Sequence, residues 1–429
     1  MSSLIGAGSS RGDIAAPVSP YTVRRPRLAW LDALRGVAAL TVALHHASYD
    51  YLPGVRQAVL GWFDAGTYGV MVFFLVSGYI VPVSLERDGS VRRFWISRVF
   101  RIYPLWTVAC GVTLGLMTAG LYRSRGGPNG LTATIAHATM LQDLLAVPNV
   151  LNVLWTLSYE MAFYLLVVAF FAVRIHRRSM TIALVFSMAS LTLGGVLPTA
   201  ALSGSRYNDM IVLLVALLAA GTIALASRSS VTGAVLGGAL AIVLVAVNGR
   251  VSPAEGLAIL AVMFTGTAIH RAEKGQIDHR AAISAIGVVL LATVLTGVWN
   301  IYREDISLQR GWCTAIVAAA MTFCLAMALR HRRIPQWLSG LGRISYSLYL
   351  LHPVLLAVFR VAFGGGPDRP EHGSVPLLIA FVPVLVALSW MTQRFVEAPV
   401  QRLGRRLSRR AEEKGDAPAG AALVRGEQA

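Results

Sequence analysis

Charge is scarce in this chain. Only 14% of its 429 residues are Asp, Glu, Lys or Arg, against roughly a quarter in soluble domains, while 55% are hydrophobic. A water-soluble fold of this length has no way to hide so much apolar surface. Lysine is scarcer still, with Lys274 and Lys414 alone among 38 basic residues. Acidic side chains number 21, which leaves a net charge of +17. Such an excess suggests a nucleic-acid binder, but the basic residues sit between apolar blocks, where a membrane protein needs them to fix its orientation. Nucleic acid is therefore excluded as a partner. Cys110, Cys313 and Cys324 lie inside apolar blocks at spacings that fit no metal motif and imply no disulfide framework. Neither a metal site nor a permanently bound cofactor is expected. No apolar core of signal-peptide length precedes residue 30. No extramembrane stretch exceeds about 30 residues, too few to build a core of its own.

What the chain has instead is runs of apolar residues, most about as long as the 20 or so that span a bilayer core. Twelve can be marked: 30–48, 66–86, 102–122, 153–173, 179–197, 209–227, 231–247, 253–270, 281–299, 311–329, 343–362 and 375–396. The predicted fold is all-α, a polytopic transmembrane helical bundle of about 10–12 spans; 231–247 and 253–270 are short and contain glycine. A transmembrane domain over 30–402 is expected between two disordered tails, 1–29 in the cytoplasm and the basic 403–429. With the N-terminus inside, 27 basic residues fall on the cytoplasmic side and 8 on the other, a split that supports both termini in the cytoplasm. Segment 131–147, interrupted by His137, Gln142 and Asp143, reads as an interfacial or re-entrant helix.

Polar residues inside such runs are functional candidates, because burying them in hydrocarbon is costly. In the first run Arg35 and His46 are 11 positions apart, about 20° short of or past whole turns at 100° per residue, so they share a face, with a rise of about 16 Å between them. Arg35 falls toward the cytoplasm and His46 near the outer third. Glu160, in LWTLSYEMAFY, is placed about 10 Å below the outer boundary, near the expected depth of His46, where a carboxylate could orient the imidazole. Ser77 and Gly78 near the middle of the second run suggest either close helix packing or a polar lining. Arg98 and Arg101 lie one turn apart among aromatic residues. That pattern fits an interfacial belt or a pair of guanidinium forks for phosphate. Ser345, Tyr349 and His352 form a stripe at i, i+4 and i+7, either a hydrogen-bond ladder between helices or the wall of a cavity.

Taken in order, LDALRGVAALTVALHH, VMVFFLVSGYIV, RVFRIYPLW, LWTLSYEMAFY, GRISYSLYLLHP and VEAPVQRL resemble acyltransferase family 3 of membrane O-acyltransferases, over roughly residues 28–403. The middle, 179–335, is similar only as apolar helices. The resemblance implies a multi-pass protein of the inner, cytoplasmic membrane that transfers an acyl group, most often acetyl, from acyl-CoA to a hydroxyl of a sugar, glycan or glycosylated natural product. It implies that Arg35 and His46 are required for activity, that Arg98 and Arg101 meet the CoA phosphates, and that Glu160 belongs to the same machinery. On that basis His46 is expected to be the general base, with an acyl-histidine intermediate as the competing route. Ser77, Tyr349 and His352 are expected to contact substrate. The rival function is a twelve-helix secondary transporter. Against it, no half-to-half repeat is visible, and the link between the sixth and seventh runs is only a few residues long.

Overall fold

The computed structural model describes residues 28–122, 130–203, 208–228, 230–363 and 374–415. No strand occurs among the described residues, and each of the twelve apolar runs is helical. In chain order the helices are α1 (Ala29–Tyr51), α2 (Pro53–Leu60), α3 (Ala65–Asp88), α4 (Val91–Thr118), α5 (Gly130–Ala138), α6 (Trp155–Ala172), α7 (Ser179–Thr192), α8 (Asn208–Ser227), α9 (Val231–Val247) and α10 (Pro253–Glu273). They continue as α11 (His279–Thr296), α12 (Ile306–Ala328), α13 (Gln336–Arg343), α14 (Ser345–Phe363), α15 (Val375–Thr392) and α16 (Ala398–Gly415). Eight helical stretches among the described residues are long and apolar enough to cross a membrane. The rest of the twelve are marked by length or polarity: α8 and α9 are shorter apolar helices, α7 has 14 residues, and α1 carries Asp32 and Arg35. The protein is an all-α polytopic bundle.

Local chemistry sets the boundaries. Asp64, Ser90, Ser230, Ser252, Asp278, Asp305 and Ser374 each accept a backbone N–H at a helix start, satisfying donors that have no partner within the helix. Pro253 follows Ser252 at the first helical position, where its missing N–H is harmless. Gly89 ends α3 at φ 63°, a left-handed conformation that glycine adopts freely.

Burial separates an inner set of helices from an outer one. The apolar stretches of α3, α6 and α10 are 72%, 83% and 89% buried, against 28% for α4 and 33% for α12. The inner helices are therefore walled by protein, and the outer ones present apolar side chains to lipid. The crossing of α3 and α10 depends on glycine. A Cβ on Gly78 would strike the Met263 carbonyl, and one on Gly266 the backbone of Leu75 and Tyr79. Thr267 Oγ1 then donates to the Gly78 carbonyl at 2.8 Å. Small residues permit such close backbone approach. Gly78→Val is expected to destabilise the bundle by about 3 kcal/mol, read as a lower melting temperature in detergent. Gly111, with nothing within 4 Å of a Cβ, is the control position. Equal melting of Gly78→Val and wild type would show that the two helices are not in fact pressed together.

Two sequence expectations change. The tail expected to be disordered from residue 403 continues as helix α16 to Gly415. The reason is amphipathic spacing: Gly404 packs on the Phe100 ring of α4, while Arg402, Arg405 and Arg406 are exposed. Residues 1–27 and 416–429, the remainder of both expected tails, lie outside the described residues. In the 131–147 segment, α5 stops at Ala138, and the chain then runs without helix to the 3-10 turn at Asn152. Gln142 and Asp143 are buried there. This irregular backbone is hydrogen-bonded from within the protein: Asn248 Nδ2 donates to Leu144 O at 3.0 Å, the Arg250 amide to Asp143 O at 3.1 Å, and Gln142 Nε2 to Leu154 O at 3.0 Å. Non-helical chain at membrane depth is tolerated only when it is satisfied in this way.

Candidate active site

The site is built where α1, α3, α4, α6 and α14 meet. They border a partly open cavity of about 70 Å³, lined by residues that include Arg35, Ser77, Arg101, Thr156, Glu160 and Tyr349. Five of the eight residues singled out in the sequence are thus brought onto one wall. Each helix supplies its member through spacing. Phe73 and Ser77 are one turn apart on α3, as are Thr156 and Glu160 on α6, so each pair faces the same way. Pairing α1 with α13 fixes the lower end. A Cβ on Gly36 would meet Leu341 and the Gly342 backbone, and one on Gly342 the Asp32 carbonyl.

Arg35, Arg101 and Glu160 bring two guanidinium groups and one carboxylate into a lining that is otherwise largely apolar. Glu160 accepts a hydrogen bond from Tyr164 Oη at 2.5 Å. Aromatic and hydroxyl groups complete the lining. The Phe73 and Tyr349 rings meet edge to face at 5.5 Å, and the Tyr349 hydroxyl lies 2.9 Å from Thr156 Oγ1. Tyr349 also bridges to a second polar cluster. Its ring is 6.0 Å from that of His352, which is three residues and about 4.5 Å further along α14.

There the two expected histidines meet. His352 Nε2 and His46 Nδ1 are 3.1 Å apart, with ring centroids at 5.0 Å. His46 Nδ1 is 3.0 Å from the Val42 carbonyl, and His352 Nδ1 is 3.1 Å from the Leu348 carbonyl. His352 is wholly buried, while His46 is half-buried. On its other side the His46 ring stacks toward Tyr49 at 6.2 Å, whose face carries the Arg56 guanidinium at 3.6 Å. The arrangement therefore runs from a cationic cavity, through Tyr349, to an imidazole pair.

Three sequence expectations need adjustment. Glu160 is not beside His46: it lines the cavity with Arg35 and Arg101, and among the described residues the His46 ring bonds only Val42 and His352. The estimate of depth assumed that α6 begins at the membrane boundary, but the buried irregular stretch before Trp155 sets its start inside the bundle. Arg98 and Arg101 also part company. Arg101 lines the cavity, whereas Arg98 is 5% exposed, donates to Ser84 Oγ at 2.8 Å and lies over the Phe94 and Tyr164 rings at 5.0 and 5.2 Å. One turn of three residues leaves the pair about 60° apart, enough to send Arg98 into the protein. Finally, the polar stripe on α14 divides. Ser345 donates to the Gly342 carbonyl of its own chain at 2.9 Å, leaving Tyr349 and His352 to face the site.

Sequence reasoning missed Thr156, Tyr164 and Tyr346. The signal was present for the first two, since Thr156, Glu160 and Tyr164 recur every fourth residue and so form one stripe. A buried carboxylate, Glu397, ends the π-turn at Gln393–Glu397 and accepts from Ser347 Oγ, with Thr392 Oγ1 donating to Ser347 Oγ at 3.0 Å. Among the described residues no group of His, Cys, Asp and Glu is arranged to hold a metal ion.

Comparison with known proteins gives a family match along most of the chain. A family profile described as an acyltransferase domain matches residues 28–394. The acyltransferase MdmB of Streptomyces mycarofaciens is 31% identical over 153 residues, 34% of this chain and 39% of the relative. The exopolysaccharide production protein ExoZ of Rhizobium meliloti is 36% identical over 113 residues, 24% of this chain and 33% of its own. The peptidoglycan O-acetyltransferase OatA of Listeria monocytogenes is 26% identical over 165 residues, 33% of this chain and 24% of its own. The chain thus aligns with well under half the length of these relatives. No solved structure matches.

Proposed function

Because this chain belongs to acyltransferase family 3, we propose that it transfers an acyl group, acetyl foremost, from acyl-CoA to a hydroxyl of a sugar, glycan or glycosylated natural product. The observation that carries the reading is the nearness of the cavity to the imidazole pair: Arg35, Arg101 and Tyr349 line the cavity, and the Tyr349 ring is 6.0 Å from that of His352, which bonds His46. Relatives named for peptidoglycan and exopolysaccharide put saccharide hydroxyls first among acceptors.

In this reading the CoA phosphates are held by Arg101, since a guanidinium fork suits phosphate oxygens. The acyl chain lies along Ser77, Phe73 and Tyr349. An alcohol is a poor nucleophile until its proton is removed, and His46 takes that proton as the oxygen attacks the thioester carbonyl. The C–O bond forms, the C–S bond breaks, and the proton passes from His46 to the departing thiolate of CoA. Arg35, about 16 Å along α1 from His46, joins Arg101 in holding the CoA end of the donor rather than the reacting carbonyl. Glu160 balances the two guanidinium groups. The membrane places the donor on the side of the basic loops and the acceptor on the side of His46.

The test is purified protein in liposomes supplied with acetyl-CoA labelled in its acetyl group and a saccharide acceptor. Label appearing on the acceptor, with free CoA released in equal amount, is the expected result. Uptake of solute without loss of the acetyl group from CoA would replace this reading with a transporter.

A further inference from the structure

We propose that His352 is a positioning residue that locks His46 into one tautomer, with its hydrogen on Nδ1 and its reactive lone pair on Nε2. The inference rests on His46 being the general base, and it assigns His352 a role through His46 rather than a contact with substrate.

The argument is one of donors and acceptors. A backbone carbonyl only accepts, so a nitrogen within bonding distance of one carries a hydrogen. His352 Nδ1 lies 3.1 Å from the Leu348 carbonyl and is therefore the protonated nitrogen of that ring. His352 is wholly buried, and no carboxylate contacts it among the described residues. A charged imidazole there would be desolvated and unpaired, so the ring is neutral and its Nε2 is an acceptor. That Nε2 is 3.1 Å from His46 Nδ1. The other neighbour of His46 Nδ1 is the Val42 carbonyl at 3.0 Å, again an acceptor. Both partners demand a hydrogen on His46 Nδ1, which leaves Nε2 of His46 bare. A chain of two imidazoles, ending on the Leu348 carbonyl, thus does for His46 what a buried carboxylate does for other catalytic histidines.

The side-chain carbonyl of glutamine reaches where histidine Nε2 sits and accepts as it does. His352→Leu keeps bulk but removes the acceptor. The expected result is a fall in kcat of about tenfold to a hundredfold in His352→Leu, as seen when the outer partner of a working histidine is lost, with KM for acetyl-CoA unchanged. His352→Gln is expected to recover most of the lost kcat. Should His352→Leu fail to fold, as judged by gel filtration in detergent, His352→Asn serves in its place, because its carbonyl stops short of His46. Wild-type kcat in His352→Leu overturns the inference. So does an equal loss in His352→Leu and His352→Gln, which would mean packing alone matters. His46→Ala run in parallel separates the two claims. If it retains activity, the base assignment fails first and this inference falls with it. If it is inactive while His352→Leu is normal, only the role of His352 is wrong.

Discussion

His46→Ala is expected to lower acyl transfer by about three to four orders of magnitude, toward the upper end of what a general base contributes, with the protein still inserted and monodisperse. The size follows from the acceptor. A sugar hydroxyl gives up its proton only in a late, unfavourable step unless a base is already placed to receive it. Around His46 the alternatives are poor: the Tyr49 ring is covered by the Arg56 guanidinium, and His352 faces His46 with the nitrogen that His46 already occupies. Stability is expected to fall by about 1–3 kcal/mol, because His352 Nε2, in a wholly buried ring, loses its hydrogen bond. Single-turnover rates with saturating acetyl-CoA, alongside melting temperature, make the comparison. Turnover near that of wild type would reject the base role, whatever the fold of the variant.

The second large effect separates two arginines that the sequence presents as a pair. Arg101→Ala is expected to raise KM for acetyl-CoA by about tenfold to a hundredfold, the loss of one or two charge-assisted hydrogen bonds, with a smaller change in kcat. Arg98→Ala is expected to leave KM alone and to lower the melting temperature. Its guanidinium bonds Ser84 and covers two aromatic rings, so its removal strips cation–π and packing contacts from the α3–α4–α6 junction. A shared rise in KM, with no effect of Arg98→Ala on melting, would restore the simple picture of two forks gripping one phosphate.

That contrast shows where sequence reasoning reaches and where it stops. Hydropathy located the twelve apolar helices, because a membrane dictates apolar runs of a known length, but not α2, α13 or α16, which are short or amphipathic. Helical angle joined Arg35 to His46, and the quoted strings brought Ser77, Arg101, Glu160 and Tyr349 into the same discussion. What angle and length do not encode is how far each helix is displaced along the membrane normal. Glu160 was matched to the depth of His46 by counting from an assumed boundary, and the count failed because residues 139–151 are folded into the bundle ahead of α6. The 60° between Arg98 and Arg101 was visible in the numbering, but which of the two would point inward depends on the neighbours supplied by α3 and α6. The encounter of His46 with His352 links residues 306 positions apart, and no local pattern announces it.

The irregular chain between α5 and α6 also constrains how the protein is made. Its carbonyls at Asp143 and Leu144 are capped by Arg250 and Asn248, which the ribosome adds about a hundred residues later. Until those arrive, the stretch has unmet acceptors and must wait at the aqueous boundary. The α6 face that carries Thr156 and Glu160 therefore follows a stretch whose hydrogen bonds come from Asn248, at the end of α9, and from Arg250 in the turn beyond it. A chain ending before Asn248 would lack both of these donors, so the candidate site is braced by the middle third, the part of the sequence that is similar to the family only as apolar helices.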